Sequence, residues 1–240
     1  MKLKFLIILI FALTKNIQAL DQIACKYGTD KSSYWHNYIS VYESYFSPLK
    51  DKKIKFLEIG FAHGQSAHMW EEYFSKAELH FLEFNDLFIQ CFAKNFSDRS
   101  NFHLGDQSNE NDLNNFINKA GGSFDIIIDD GGHQMNQQIT SFKVLFPHLK
   151  SGGIYVIEDL HTSYWKAWGG SGSKEQPSSG TNTTIRFLQS LIDEVNFVGA
   201  RTGIADKSKY SEKKYGALNY YQRNIKSLHF YDSMCFIIKN

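Results

Sequence analysis

The sequence predicts an α/β protein built on a mostly parallel sheet with helices on both faces. Three observations carry this. Short apolar runs alternate with amphipathic stretches of helical period from about residue 54 to residue 160. The runs are apolar throughout, which is how strands read when both sheet faces are covered. The chain has 240 residues and is 42% hydrophobic, enough to bury such a sheet in one domain.

The elements follow in order. From Ser32 to Phe46, Tyr34, Trp35, Tyr38, Ile39, Tyr42, Tyr45 and Phe46 recur at helical spacing, and Pro48 with the charged stretch 50–53 ends the pattern. This predicts a helical cap over about 20–50. Strands are predicted over 54–60 (IKFLEIG), 78–84 (ELHFLEF), 102–106 (FHLGD), 124–130 (FDIIIDD) and 152–160 (GGIYVIEDL). Between them, 64–74, 86–96, 110–120 and 136–149 read as helices, the third ended by Gly121 and Gly122. Residues 162–183, rich in Gly, Ser and Trp, read as a long loop. A helix is expected over 184–195 and a strand over 196–201 (NFVGAR). The stretch 227–239 (SLHFYDSMCFIIK) reads as one long strand with a kink. The domain therefore spans 20–240.

The first 19 residues stand apart. Two lysines, nine apolar residues from Phe5 to Leu13 and a small residue at Ala19 have the layout of a secretory signal or an uncleaved anchor. That points to the secretory pathway or a membrane. Net charge is +1, so nothing argues for a nucleic-acid partner. Cys25, Cys91 and Cys235 are too scattered for a disulfide framework or a zinc site.

The chemistry lies at the strand ends, where ligands bind in doubly wound sheets. The run 126–128 passes directly into Asp129, Asp130, Gly131, Gly132 and His133; the run 154–157 passes into Glu158, Asp159, Leu160 and His161. Two carboxylate pairs from neighbouring strands can converge on a hard cation, with oxygen ligands suiting Mg²⁺, Mn²⁺ or Ca²⁺. Adjacent strand residues point to opposite faces, so Asp129 and Asp130 cannot both face one ion. Each pair alone could simply cap the following helix; two pairs plus His133 are not explained that way. Earlier strand ends carry Glu58, Gly60, Gly64 and Ser66, then Glu83, then Asp106. The glycine spacing departs from the dinucleotide fingerprint. Glu83 suits a ribose diol, and Asp106 an adenine amine or a helix cap.

Taken in order, these motifs resemble those of class I S-adenosylmethionine-dependent methyltransferases. YGTDKSS (27–33), LEIGFAHGQSAHMW (57–70), GDQS (105–108), FDIIIDDGGH (124–133), LFPHLKSGGIYVIEDLHTSYW (145–165) and LHFYDSMCFIIK (228–239) are similar to one branch, the metal-dependent sugar O-methyltransferases of the macrocin and mycinamicin type. That branch usually has Asp at position 83 and a small residue such as Ser at 132. The resemblance implies a Rossmann-like sheet with a C-terminal antiparallel strand. It implies S-adenosylmethionine held by Glu58, Gly60, Gly64, Ser66, Glu83 and Asp106, with Asp129 on the cofactor side or orienting its neighbours. It implies a divalent ion, Mg²⁺ foremost, on Asp130, Glu158 and Asp159, and His133 as general base. The acceptor would be a hydroxyl of a sugar or other polyhydroxyl small molecule, and a homo-oligomer is compatible. Residues 162–183, with Tyr164, Trp165 and Trp168, are a candidate acceptor wall, with His161 and Tyr164 near the substrate. Two competing readings are a nicotinamide-dependent oxidoreductase and an exported binding protein on the same fold. The cofactor's cytosolic origin pulls against the leader.

Overall fold

The computed structural model describes residues 19–240. The predicted leader falls almost entirely on 1–18, outside the described residues. No helix among the described residues is long and apolar enough to cross a membrane.

The strands are β1 (Lys55–Ile59), β2 (Glu78–Glu83), β3 (Ser100–Leu104), β4 (Phe124–Asp129), β5 (Leu149–Ile157), β6 (Ile225–Tyr231) and β7 (Met234–Lys239). The helices are α1 (19–27), α2 (Ile39–Phe46), α3 (Gln65–Tyr73), α4 (Asp86–Phe92), α5 (Glu110–Ala120), α6 (Met135–Leu145), α7 (Thr184–Thr202), α8 (Glu212–Tyr215) and α9 (Tyr220–Asn224). Among the described residues the strands form one sheet in the order β3-β2-β1-β4-β5-β7-β6. The first five run parallel, and β7 is antiparallel to both β5 and β6. Strand order reverses between β1 and β4, so a crevice opens above their carboxyl ends.

Strand alternation divides the core in two. Phe56, Ile126, Ile128 and Val156 pack with Tyr42, Phe46, Trp70 and Phe74 on one side of the sheet. Their neighbours Leu57, Ile127 and Tyr155 pack with Phe116, Phe142, Leu145 and Leu188 on the other. The central strands β1 and β4 thus meet a covered face on both sides, which is why they carry no polar alternation.

Three expectations are corrected. Residues 196–201 are helix, not strand: Leu188, Leu191, Val195 and Val198 keep a three- and four-residue spacing on one face, and α7 ends only at Gly203, with φ of 71°. The stretch 227–239 is a hairpin, because the chain reverses at Asp232 and Ser233, the latter with φ of 66°. The helix expected from Ser32 begins at Ile39. Before it lies a compact turn in which the Lys31 and Ser32 carbonyls accept from the Tyr38 and Asn37 amides at 3.1 and 2.9 Å. Here local hydrogen bonds outweigh aromatic periodicity.

A histidine pair on β2 and β3 makes stability depend on pH. His80 Nδ1 lies 3.0 Å from His103 Nε2, its Nε2 lies 2.8 Å from Glu78, and its ring packs on Phe124. Burial, then the neighbouring His80, pushes His103 down to about 4; burial also lowers His80. The unfolded chain takes up these protons near pH 6.5. Between about 6.5 and 4 the unfolded state therefore binds more protons, and this part of the stability is lost as pH falls. The melting temperature is expected to drop between pH 7 and pH 5 more steeply in the wild type than in His103→Asn. Parallel slopes would contradict this.

Candidate active site

A cleft of about 650 Å³ opens above the β1–β4 reversal. Its walls are the segments 28–30, 59–63, 82–85, 105–107 and 130–133, together with Ser66 and Asp159.

Gly60 sets the turn after β1. Its φ is 93°, and a Cβ there would lie 2.1 Å from the Asp130 carbonyl oxygen, so only glycine lets the β1 and β4 ends approach this closely. Glu83 braces the same turn. One oxygen accepts from the Phe61 and Ala62 amides, each at 2.9 Å, and the other from the Asn85 amide at 2.7 Å. Asp106 lines the cleft and accepts from the Ser108 amide and hydroxyl at 2.8 and 2.7 Å.

Three residues expected at the cofactor, Glu58, Gly64 and Asp129, do not line the cleft. Glu58 is fully buried behind the turn and accepts from Ser66 Oγ at 2.8 Å and Trp70 Nε1 at 3.0 Å. Strand alternation sends it toward α3, away from the cleft. Gly64 is the left-handed cap of α3 and is not on the cleft wall. Asp129 is fully buried and takes Gln107 Nε2 at 2.9 Å and the Ser141 hydroxyl. It orients its neighbours: Gln107 also accepts from the Gly132 amide at 2.7 Å and so ties the turns after β3 and β4 together. Gln107 carried no signal in the sequence beyond its place in GDQS.

Asp130, His133 and Asp159 offer ligand atoms that all lie within 4.8 Å of one another. His133 Nε2 is 3.4 Å from Asp159 Oδ2, and the Tyr38 hydroxyl donates to Asp159 Oδ1 at 2.7 Å. His133 and Asp159 have φ of 56° and 55°, and Ala62 in the glycine turn has 44°. Left-handed backbone at non-glycine residues costs of order 1–3 kcal/mol each and concentrates at functional sites.

Glu158 is not in that group. Its amide continues the β5 ladder to the Asp129 carbonyl at 3.0 Å, so its side chain follows strand alternation inward. There it meets the Tyr42 hydroxyl and Lys31 Nζ, the latter at 3.0 Å. Asp159, in its left-handed conformation, turns outward to the cleft. Of the expected set of Asp130, Glu158 and Asp159, the first and last thus face the cleft beside His133, and Glu158 faces the inner side.

Charge on the inner side is dense. Lys31 is fully buried, donates to Asp130 and Glu158, and lies 3.7 Å from Glu58. Burial alone would lower the Lys31 pKa; Asp130, Glu158 and Glu58 outweigh it and hold the ammonium well above the ordinary lysine value. Burial pushes Glu58 up to about 7 against the pull of Lys31. Asp159 is held below the usual carboxylate range despite its burial, by His133 and the Tyr38 hydrogen bond. It is therefore an ionised acid at the cleft surface.

The Asp130 and Asp159 carboxylates, partly exposed and with no thiol beside them, fit a hard divalent ion, with His133 alongside. His133 Nδ1 is also buried without a hydrogen-bond partner among the described residues. Aromatic rings flank the cluster. Trp168 lies 5.9 Å from His133 between ring centres, Trp165 4.5 Å from His161, and His36 6.3 Å from His161.

Comparison with known proteins gives the same picture. A methyltransferase-domain family matches residues 57–160, from β1 through Asp159. The chain is 30% identical over 234 residues to the 8-demethyl-8-alpha-L-rhamnosyl tetracenomycin-C 2'-O-methyltransferase of Streptomyces olivaceus, covering 94% of this chain and 56% of the relative. It is 31% identical over 229 residues to the mycinamicin VI 2''-O-methyltransferase of Micromonospora griseorubida, covering 92% and 52%. The solved structure of MycE methyltransferase from the mycinamycin pathway, in complex with Mg, SAH and mycinamycin VI, aligns with a TM-score of 0.75 at 29% identity. That alignment covers 92% of this chain and 53% of that one. The chain thus spans about half the length of the relatives it matches. Sheet order, glycine turn and acidic strand ends define a class I methyltransferase fold. More narrowly, residues 57–160 match a methyltransferase domain, and the chain is similar to sugar O-methyltransferases of the mycinamicin type.

Proposed function

We propose that the chain transfers a methyl group from S-adenosylmethionine to a hydroxyl of a glycosylated or polyhydroxyl small molecule, with a divalent ion, Mg²⁺ foremost. One observation carries this reading: Asp130, His133 and Asp159 line the same cleft as Gly60, Glu83 and Asp106. A donor in the glycine-turn half and an acceptor at the acidic half would meet inside one cavity. The relatives, which are sugar O-methyltransferases, and the Mg and SAH of the MycE complexes support it.

The roles follow from the geometry. When bound, the ion on Asp130 and Asp159 supplies the positive charge that makes a neutral hydroxyl acidic. His133, held against Asp159, takes the hydroxyl proton. Asp159 and Tyr38 fix the imidazole's surroundings, and Trp165 and Trp168 form the acceptor wall. The remaining task is alignment of oxygen, methyl and sulfur, which the shared cleft provides. The nicotinamide alternative lacks its glycine spacing.

Calorimetric titration of the protein with S-adenosylhomocysteine and with NADH tests the cofactor. Binding of the first alone is the expected result; binding of NADH alone overturns the reading. Glu83→Ala should weaken cofactor affinity by about 1.5–3 kcal/mol, since it removes a charge-assisted acceptor and unlaces the glycine turn. Unchanged affinity in the same titration would show that Glu83 faces nothing that binds.

A further inference from the structure

We propose that Lys31 is the internal counter-ion of the acidic cluster and sets how strongly the exogenous divalent ion is held there. This rests on the metal reading above.

Three acids meet one ammonium, two of them in a region closed to water and the third, Asp130, at the cleft wall. Lys31 and Glu58 are fully buried, and Glu158 nearly so. Lys31 Nζ donates to Asp130 Oδ2 and to Glu158 at 3.0 Å, and stands 3.7 Å from Glu58. Buried carboxylates need a cation, because water cannot screen them. Asp130 belongs to both groups. It takes the ammonium on the inner side and joins His133 and Asp159 on the cleft side. A carboxylate has two oxygens and several lone pairs, so it can serve both at once.

The turn that carries Lys31 reaches the cluster a second time. Its carbonyl accepts from the Tyr38 amide at 3.1 Å, and the Tyr38 hydroxyl donates to Asp159 Oδ1 at 2.7 Å. One short turn therefore touches both carboxylates assigned to the ion. It precedes residue 57, where the methyltransferase-domain match begins. A cation fixed beside Asp130 repels a second cation and neutralises part of the charge that would draw it in. Lys31 thus keeps the acids folded in place and lets the ion bind more weakly than three uncompensated carboxylates would.

The test is Mn²⁺ binding, read by electron paramagnetic resonance, with thermal unfolding in Mg²⁺ and in EDTA alongside. In Lys31→Met the acids rely on the exogenous ion alone. Mn²⁺ should bind at least about fivefold tighter, and Mg²⁺ should raise the melting temperature more than in the wild type, by mass action. Lys31→Arg, which keeps the charge, should stay within about twofold of wild-type affinity. Should Lys31→Met not fold, the pair Lys31→Met/Glu158→Gln removes one acid with the ammonium and keeps the local net charge. It should fold and bind Mn²⁺ within about twofold of the wild type. Unchanged or weaker Mn²⁺ binding in Lys31→Met overturns the role of Lys31, as does a charge-balanced pair that fails to bind. A wild type that binds no Mn²⁺ overturns the metal reading, and this role with it.

Discussion

Replacing His133 by alanine is expected to leave cofactor and ion binding in place while methyl transfer falls by about 10²–10⁴-fold, the usual contribution of a positioned acid–base group. The prediction is sharp because His133 stands where two roles meet. Its Nε2 faces Asp159, and it offers a ligand atom within 4.8 Å of those of Asp130 and Asp159. As base, it must keep a nitrogen free for the proton. The wild-type rate should then rise with pH through one ionisation that His133→Ala lacks. As an ion ligand, its loss would instead lower Mn²⁺ affinity and flatten nothing in the pH profile. The rate–pH curves of the two proteins, measured at saturating ion, decide between these.

The second large effect concerns the acids. Asp159→Asn removes charge from the ion site and from beside His133, and weakens the acceptor of the Tyr38 hydroxyl. Activity should fall by at least about 10²-fold, since even outer partners of metal ligands cost 10–100-fold. Excess Mg²⁺ should restore only part of it. Glu158→Gln offers the contrast. Its side chain is engaged with Lys31 and Tyr42, so its loss should reduce ion affinity less than the loss of Asp159. Equal losses would place Glu158 on the ion, as the family resemblance implies.

The parallel strands β1, β2, β4 and β5 were legible because each holds a short apolar run, as burial on both faces requires; β3 (SNFHL) is only half-buried and carries the weakest such signal. The cleft was legible at Gly60, Glu83, Asp106 and Asp130 because their types are out of place at the ends of such runs. Left-handed backbone was not. Nothing in the sequence shows that Asp159 turns outward while Glu158, one residue earlier, continues the strand inward. That single dihedral decides which carboxylate the cleft receives.

Lys31, Tyr38, Tyr42 and Gln107 were also out of reach. The first three come from a segment 116 to 127 residues before Glu158 and Asp159, where the aromatic spacing read only as a helix face. Lys31 lay inside the YGTDKSS motif, but a lysine shows no partner until the fold supplies three carboxylates. The hairpin of β6 and β7 was hidden for a simpler reason. Asp232 and Ser233 form a reversal too short to interrupt the apolar pattern around them.

The central claim is ion-dependent methyl transfer within one cleft. It is tested most directly by incubating the protein with methyl-labelled S-adenosylmethionine and a panel of glycosylated small molecules, in Mg²⁺ and in EDTA. The account predicts label in an alkali-stable methyl ether on the acceptor, formed in Mg²⁺ and lost in EDTA. Equal transfer in EDTA, or label on nitrogen or carbon instead of a hydroxyl oxygen, would contradict it.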